Sequence, residues 1–501
     1  MENLIFIISL ICCVACSDKN CDNTAISDET AISDEPFRPA YHFTPPKNWC
    51  NDPNGMVYYA GEYHLFYQYN PQGTKWGNMS WGHAVSVDLT TWQHMPVALF
   101  PDKLGDIFSG SAVVDENNTA GFQTGNEKTL LAFYTYNKNG QTQALAYSTD
   151  KGRNWTKYSQ NPVLRPEGNK PDFRDPKVLW YAPENKWIMA LAAGNVIEFY
   201  SSTNAKKWKY ESRFGAEYGN HDGIWECPDL FQIGEKWILL VNNSRNGDNS
   251  GSATQYFVGN FDGKTFTSES PQQGQPAHWL DYGKDHYAMV TWANAPNNRK
   301  IGLAWMSNWE YANETPTKHF RSAMSVPREL TLIRENGKYL LKNEPVREME
   351  NLRGEKTTFS SIEISGNGTV KDLPVSGLYE ILIDMEKQTA QQFGFKLKNS
   401  KTEEVTVLFD FQNNIFSINR TKSGIVNFSE RFPATTIAPL AVKNEYQLRV
   451  LVDKCSIEAF LDGGEMSMTN LVFPNEPYNT IEFFGKNGKY TINNFAIIKL
   501  Q

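Results

Sequence analysis

Three acidic residues stand at matching places in three similar stretches of this sequence. NDPNGMVYYAGEYHLFYQY begins at Asn51, RDPKVLWYAPENKWIMALAA at Arg174 and ECPDLFQIGEKWILLVNNS at Glu226. In each, an acid is followed one or two places on by proline, then by an apolar strand, a polar turn and a second strand. Repeats set around an axis would bring Asp52, Asp175 and Glu226 into one pocket. Gathering carboxylates costs stability through like-charge repulsion, so such a cluster marks chemistry. Two carboxylates flanking a glycosidic bond can hydrolyse it: an ionised one attacks the anomeric carbon, a protonated one assists the leaving oxygen. Asp52 lies among Asn51, Asn54 and the N–H groups of a turn through Pro53 and Gly55; these donors favour its charged form and suit it to the nucleophile's role. Glu226 sits between Trp225 and Cys227, an apolar setting that suits the acid/base. Asp175 is expected to stay charged beside Arg174 and to hold sugar hydroxyls.

The elements that must carry these acids are all β. From Tyr41 onward, short alternating strands are separated by Gly, Asn, Asp and Pro turns. A second mark recurs as SVDLTTW ending at Trp92, STDKGRNW at Trp155, STNAKKW at Trp208 and NFDGKTF at Phe266, with spacings of 63, 53 and 58 residues. Regular periods in this range imply radial four-stranded units. A fifth unit spans Tyr287 to Trp309, and leading positions near 52, 109, 175, 226 and 285 match that count. The pattern predicts a five-bladed β-propeller over residues 39–335, with the recurrent aromatics plugged between blades. Beyond Glu335 the strands are longer and alternate more evenly, which predicts an antiparallel β-sandwich over 345–501 that packs against the propeller.

A chain of 501 residues is long enough for such domains. The net charge of −8 with no basic block argues against nucleic acid and is compatible with a neutral ligand such as a polysaccharide. The apolar run Leu4 to Cys16 is too short to span a bilayer and fits a signal peptide, residues 1–16. It ends in CVAC before Ser17, similar to a bacterial lipobox, so Cys16 is the expected lipidation site; plain secretion is the alternative. Residues 17–38 carry AISDE twice and read as a flexible acidic tether. Cys50, Cys227 and Cys455 are scattered and no CxxC pair occurs beyond the CVAC of the leader, so no disulfide framework is expected. No histidine pair has metal-ligand spacing, and His83 and His94 read as structural.

NDPNG at 51–55 preceded by Trp49, RDP at 174–176 and ECPD at 226–229 closely resemble the three catalytic blocks of glycoside hydrolase family 32, the invertase, inulinase and levanase family. Supporting blocks are FYQYNP at 66–71, WGNMSWGHAVSVDLTTW at 76–92, FSGSA at 108–112, DYGKDHYA at 281–288, WMSNW at 305–309, SVPREL at 325–330 and SIEAFLDGGE at 456–465. One difference is Cys50, where the family usually has Met. The resemblance implies retaining hydrolysis of β-fructosidic linkages in levan, inulin or sucrose, with no metal or organic cofactor. It implies Asp52 as nucleophile, Glu226 as acid/base and Asp175 as transition-state stabiliser. Trp49, Asn51, Gln68, Trp76, Phe108, Ser109, Arg174 and Trp309 would bind fructose. The expected partner is a fructan chain, met by a monomeric lipoprotein on the outer membrane at the cell surface. Alternatives are a fructosyltransferase using the same acids, or a surface fructan-binding protein without activity. A propeller glycosidase acting on arabinan shares the fold only.

Overall fold

The structure, a computed structural model, describes residues 35–168, 170–245, 249–269 and 276–501; Cys16 and most of the tether lie outside them. The tether was expected to reach 38, but its end is docked. Phe37 packs edge-on against Phe473 at 5.2 Å, and Arg38 donates to Thr44 Oγ1 and Pro45 O. A buried ring and a guanidinium bonded through both Nη atoms fix this stretch, so the compact unit begins at Pro36.

Five antiparallel sheets form the propeller. Their first strands are Asn48–Tyr59, Asp106–Asp115, Phe173–Tyr181, Trp225–Ile233 and Tyr287–Thr291. The fifth sheet adds Ile301–Met306, Arg328–Glu335 and Lys338–Pro345, so it runs past the boundary expected at 335. The ring closes between the last blade and the first. Tyr58 N donates to Ala293 O, Ala293 N donates to Met56 O, and Phe320–Arg321 pairs in parallel with Asn48–Trp49.

The recurrent corner aromatics plug the blades, each against the preceding one. Trp92 stacks on Trp292 at 6.1 Å, Trp155 meets Phe66 at 5.3 Å, Trp208 meets Phe133 at 5.7 Å and Phe266 meets Phe214 at 5.0 Å. Large rings in these seams bury much apolar area per residue and set the angle between sheets.

The C-terminal domain is a two-layered sandwich that shares one strand. In Thr480–Leu500, the first half pairs with Gln392–Lys398 and the second with Tyr379–Lys387. Its core is aliphatic and aromatic, with Phe393, Phe395, Phe409 and Phe483 fully buried. The sandwich meets the propeller through buried ion pairs. Arg328 pairs with Glu458 at 2.8 Å, and Arg420 pairs with Asp285 at 2.5 Å. Asp285 therefore faces the sandwich, and the fifth blade sends no acid to the axis from that position. The second blade offers Ser109 there.

Candidate active site

The acid–proline signature has a backbone cause. Proline lacks an N–H and, within a sheet, is accommodated at edges and bulges. All five inner strands bulge near their N-terminal ends. Register slips between Cys50 and Pro53, between Phe108 and Gly110, opposite Ala190 and Ala192, between Glu226 and Asp229, and between Tyr287 and Val290. A bulge re-aims the side chain it carries. Asp175 and Cys227 reach positive φ of 64° and 42°, a strained region for such residues. Hydrogen bonds hold the strain: Thr135 Oγ1 accepts from Asp175 N at 3.0 Å, and Asp175 Oδ2 accepts from Cys227 N at 3.0 Å.

These bulges aim three carboxylates at one cavity of about 300 Å³, lined by Asn51, Asp52, Gln68, Trp76, Phe108, Ser109, Arg174, Asp175, Glu226 and Trp309. Trp49 is the expected binder that does not line it. Its side chain is fully buried against Trp305 and Trp309, and its indole N–H donates to Asn51 Oδ1 at 2.7 Å. It acts on the pocket through Asn51, whose amide donates in turn to Asp52 Oδ1 at 3.0 Å.

Asp52 also accepts from Ser109 Oγ at 2.7 Å and lies 3.5 Å from Cys227 Sγ. That thiol is 3.6 Å from Asp175 Oδ2 as well. Burial pushes the Asp52 carboxyl up from its ordinary value; Ser109, Asn51 and Cys227 pull it back, while Glu226 adds to the rise. Of the donors expected from sequence Asn51 reaches the carboxylate, while Asn54 instead accepts from Gly110 N at 3.2 Å, and burial outweighs the donors that do bond Asp52.

Arg174 does not serve Asp175 first. Its Nη2 meets Glu226 Oε1 at 2.9 Å and its Nη1 meets Asp172 Oδ1 at 2.6 Å, whereas its Nε is 3.9 Å from Asp175. Burial, with Glu226 and Asp52 nearby, therefore outweighs Arg174 and pushes Asp175 up to about 7, against the expectation that it stays charged. Glu226 is likewise not in an apolar setting. Trp225 turns away, donating to Asn220 O and stacking on His221, because neighbours on a strand point to opposite faces. The second Glu226 oxygen accepts from the Tyr287 hydroxyl. Tyr287 lies within the DYGKDHYA block, but nothing in its sequence neighbourhood marked it as a partner of Glu226.

Asp175 has a consequence for stability. Between its ordinary value of 3.8 and about 7, the folded protein holds a proton that the unfolded chain has released. Stability from this group therefore falls as pH rises through that window. Asp175→Asn should raise the thermal unfolding midpoint over wild type at pH 8, with the gap closing at pH 4. It should also lower activity roughly 10²–10³-fold. Equal gaps at both pH values would overturn the assignment.

Acids from three blades around a sugar-sized hollow, with an arginine among them, define a carboxylate-based glycosidase on a propeller. The chain belongs to glycosyl hydrolases family 32: its N-terminal domain matches residues 42–345 and its C-terminal domain residues 348–499. The chain is 45% identical over 493 residues to a levanase of Bacillus subtilis (strain 168), covering 95% of this chain and 72% of that one. It is 36% identical to the extracellular exo-inulinase of Aspergillus awamori over 88% of this chain and 90% of that one. The crystal structure of exo-inulinase from that organism superposes with a TM-score of 0.87 at 34% identity, covering 93% and 99% of the two chains. A fructofuranosidase from Schwanniomyces occidentalis complexed with fructose superposes at 0.85 with 31% identity, covering 95% of this chain and 100% of that one.

Proposed function

We propose that this enzyme hydrolyses β-fructosidic linkages of fructans with retention of configuration. One observation carries the reading: Asp52, Asp175 and Glu226 line a single cavity, with Arg174 bonded to Glu226. Asp52 attacks the anomeric carbon to form a fructosyl ester, while Glu226 passes a proton to the leaving oxygen and then takes one from water. Asp175, raised to about 7, supports a proton held within the cluster near neutrality. As charge develops on the sugar, Asp175 stabilises it. Asn51, Gln68, Ser109 and Arg174 supply hydrogen bonds to fructose hydroxyls, and Trp76, Phe108 and Trp309 supply the apolar walls.

The likeness to a levanase supports levan as the first substrate to try. Incubation with levan, inulin and sucrose should release reducing sugar, with the β-anomer of fructose appearing first by NMR. Products longer than the substrate would favour a fructosyltransferase. Absence of any product would leave a binding protein and sink the proposal.

We also place the enzyme outside the cell, held by lipid on Cys16. The CVAC–Ser17 pattern and the extracellular relatives support this. Metabolic labelling with an alkyne fatty acid tests it: wild type should be tagged, Cys16→Ala should not, and an untagged wild type refutes the anchor.

A further inference from the structure

A second hollow opens at the other end of the propeller axis. The C-terminal ends of the inner strands of blades two to five line a funnel of about 600 Å³, twice the volume of the catalytic cavity. Between the two lies a space of only about 10 Å³. Lys177 closes it, with its Nζ 2.9 Å from Asp229 Oδ1 and 3.0 Å from Thr291 O. Lys177, Asp229 and Thr291 are all buried. The funnel is therefore sealed from the acids, and the reaction does not use it.

Its lining has a definite chemistry. Trp180 and Trp237 stand half-exposed in the wall, and Trp187 backs Trp180 edge-on at 4.9 Å. Four side-chain amides, Asn117, Gln232, Asn294 and Asn298, also line it. The charged lining residues balance: Asp115 and Glu116 against Lys177 and Lys300. Asp115 is already satisfied by the backbone N–H groups of Thr119 and Ala120, both at 2.8 Å, and Lys177 by Asp229. With Lys177 taken up by Asp229 and Asp115 bound by backbone N–H groups, Glu116 and Lys300 are the charged lining residues left, so the funnel offers an ionic ligand no cluster of one sign. Indole faces pack against the C–H faces of sugar rings. Amides donate and accept at once, which matches hydroxyl groups. The volume lies within the range of small-molecule sites.

We propose that this funnel is a second, non-catalytic site for a short neutral oligosaccharide, and that its ligand is a fructosyl chain. The choice of sugar rests on the fructan reading above; the site itself rests on the funnel's lining. Its effect is to hold one stretch of polymer on the enzyme and raise the local concentration of cleavable ends.

Calorimetric titration of full-length Asp52→Ala with a β-2,6-linked fructotriose tests it. Two binding events per chain are expected. Adding Trp180→Ala and Trp237→Ala should leave one. Gln232→Trp, which fills the mouth from an exposed position, should also leave one without disturbing the core. In an otherwise wild-type chain, both changes should leave kcat/KM on the fructotriose unchanged and lower it several-fold on levan. A single event in Asp52→Ala, untouched by these changes, overturns the second site. Two events in a chain whose wild type releases no fructose would keep the funnel and refute only the hydrolase reading.

Discussion

Asp52→Ala loses fructose release, with kcat falling roughly 10⁴-fold or more, as removal of a covalent nucleophile requires. Loss of rate alone does not separate a nucleophile from a stabilising acid, so the informative step is chemical rescue. Azide fits the space left by a deleted carboxylate and attacks from the same side. In Asp52→Ala, azide should restore turnover and give fructosyl azide of inverted configuration. Glu226→Ala behaves differently. With a fructoside whose leaving group needs no proton, the fructosyl ester still forms on Asp52. Azide then enters from the Glu226 side and gives the retained anomer. The two variants should thus yield opposite anomers by NMR. Retained product from Asp52→Ala would exchange the two roles. Unassisted activity in Asp52→Ala would remove Asp52 from the mechanism. Asp175→Asn should respond to azide in neither sense, because its carboxylate makes no bond to the sugar.

The acids were legible in the sequence because their signature is a backbone one. Asp52–Pro53, Asp175–Pro176 and Glu226-Cys-Pro228 mark bulges, and a bulge at the same point of successive blades is a periodic feature. The corner tryptophans were legible for the same reason. What failed was inference from sequence neighbours to electrostatic neighbours. Trp225 adjoins Glu226 along the chain but packs between blades three and four, while Arg174 and Tyr287 come to Glu226 from other blades. The family resemblance places Trp49 at the sugar, yet it lies behind Asn51. Side-chain direction around a bulge departs from simple alternation, so periodicity cannot assign it. The acid at the fifth leading position, Asp285, had the right place in its repeat and the wrong partner. Arg420, from a domain more than a hundred residues on, claims it.

That interdomain contact bears on the pocket and on the second large effect. Arg420 and Asp285 both bond the Tyr311 hydroxyl, two residues beyond the lining residue Trp309, so the sandwich buttresses one pocket wall. Beside them, fully buried Arg328 bonds Asp281 and Asn343 through Nη1, both at 2.8 Å, and Glu458 through Nη2 at 2.8 Å. His42 bonds the other Glu458 oxygen at 2.8 Å, which places the SIEAFLDGGE block at the interface. Burial raises the Asp281 carboxyl, but Arg328 overcomes this and holds it at about 2. Arg328→Met strands Asp281 without a cation, and removing one partner of a buried pair costs about 3–5 kcal/mol. Urea unfolding followed by tryptophan fluorescence should show that loss at pH 7. The loss should shrink as pH falls through the ordinary carboxylate range toward 2. Over that range wild type surrenders the benefit of the pair, while the stranded acid in the variant becomes neutral. Arg328→Met combined with Asp281→Asn and Glu458→Gln should recover part of the stability, since no carboxylate then lacks a cation. A deficit that is the same at every pH, and that the triple variant does not relieve, would mean that lost packing over the Phe460 ring, and not unpaired charge, sets the strength of this joint.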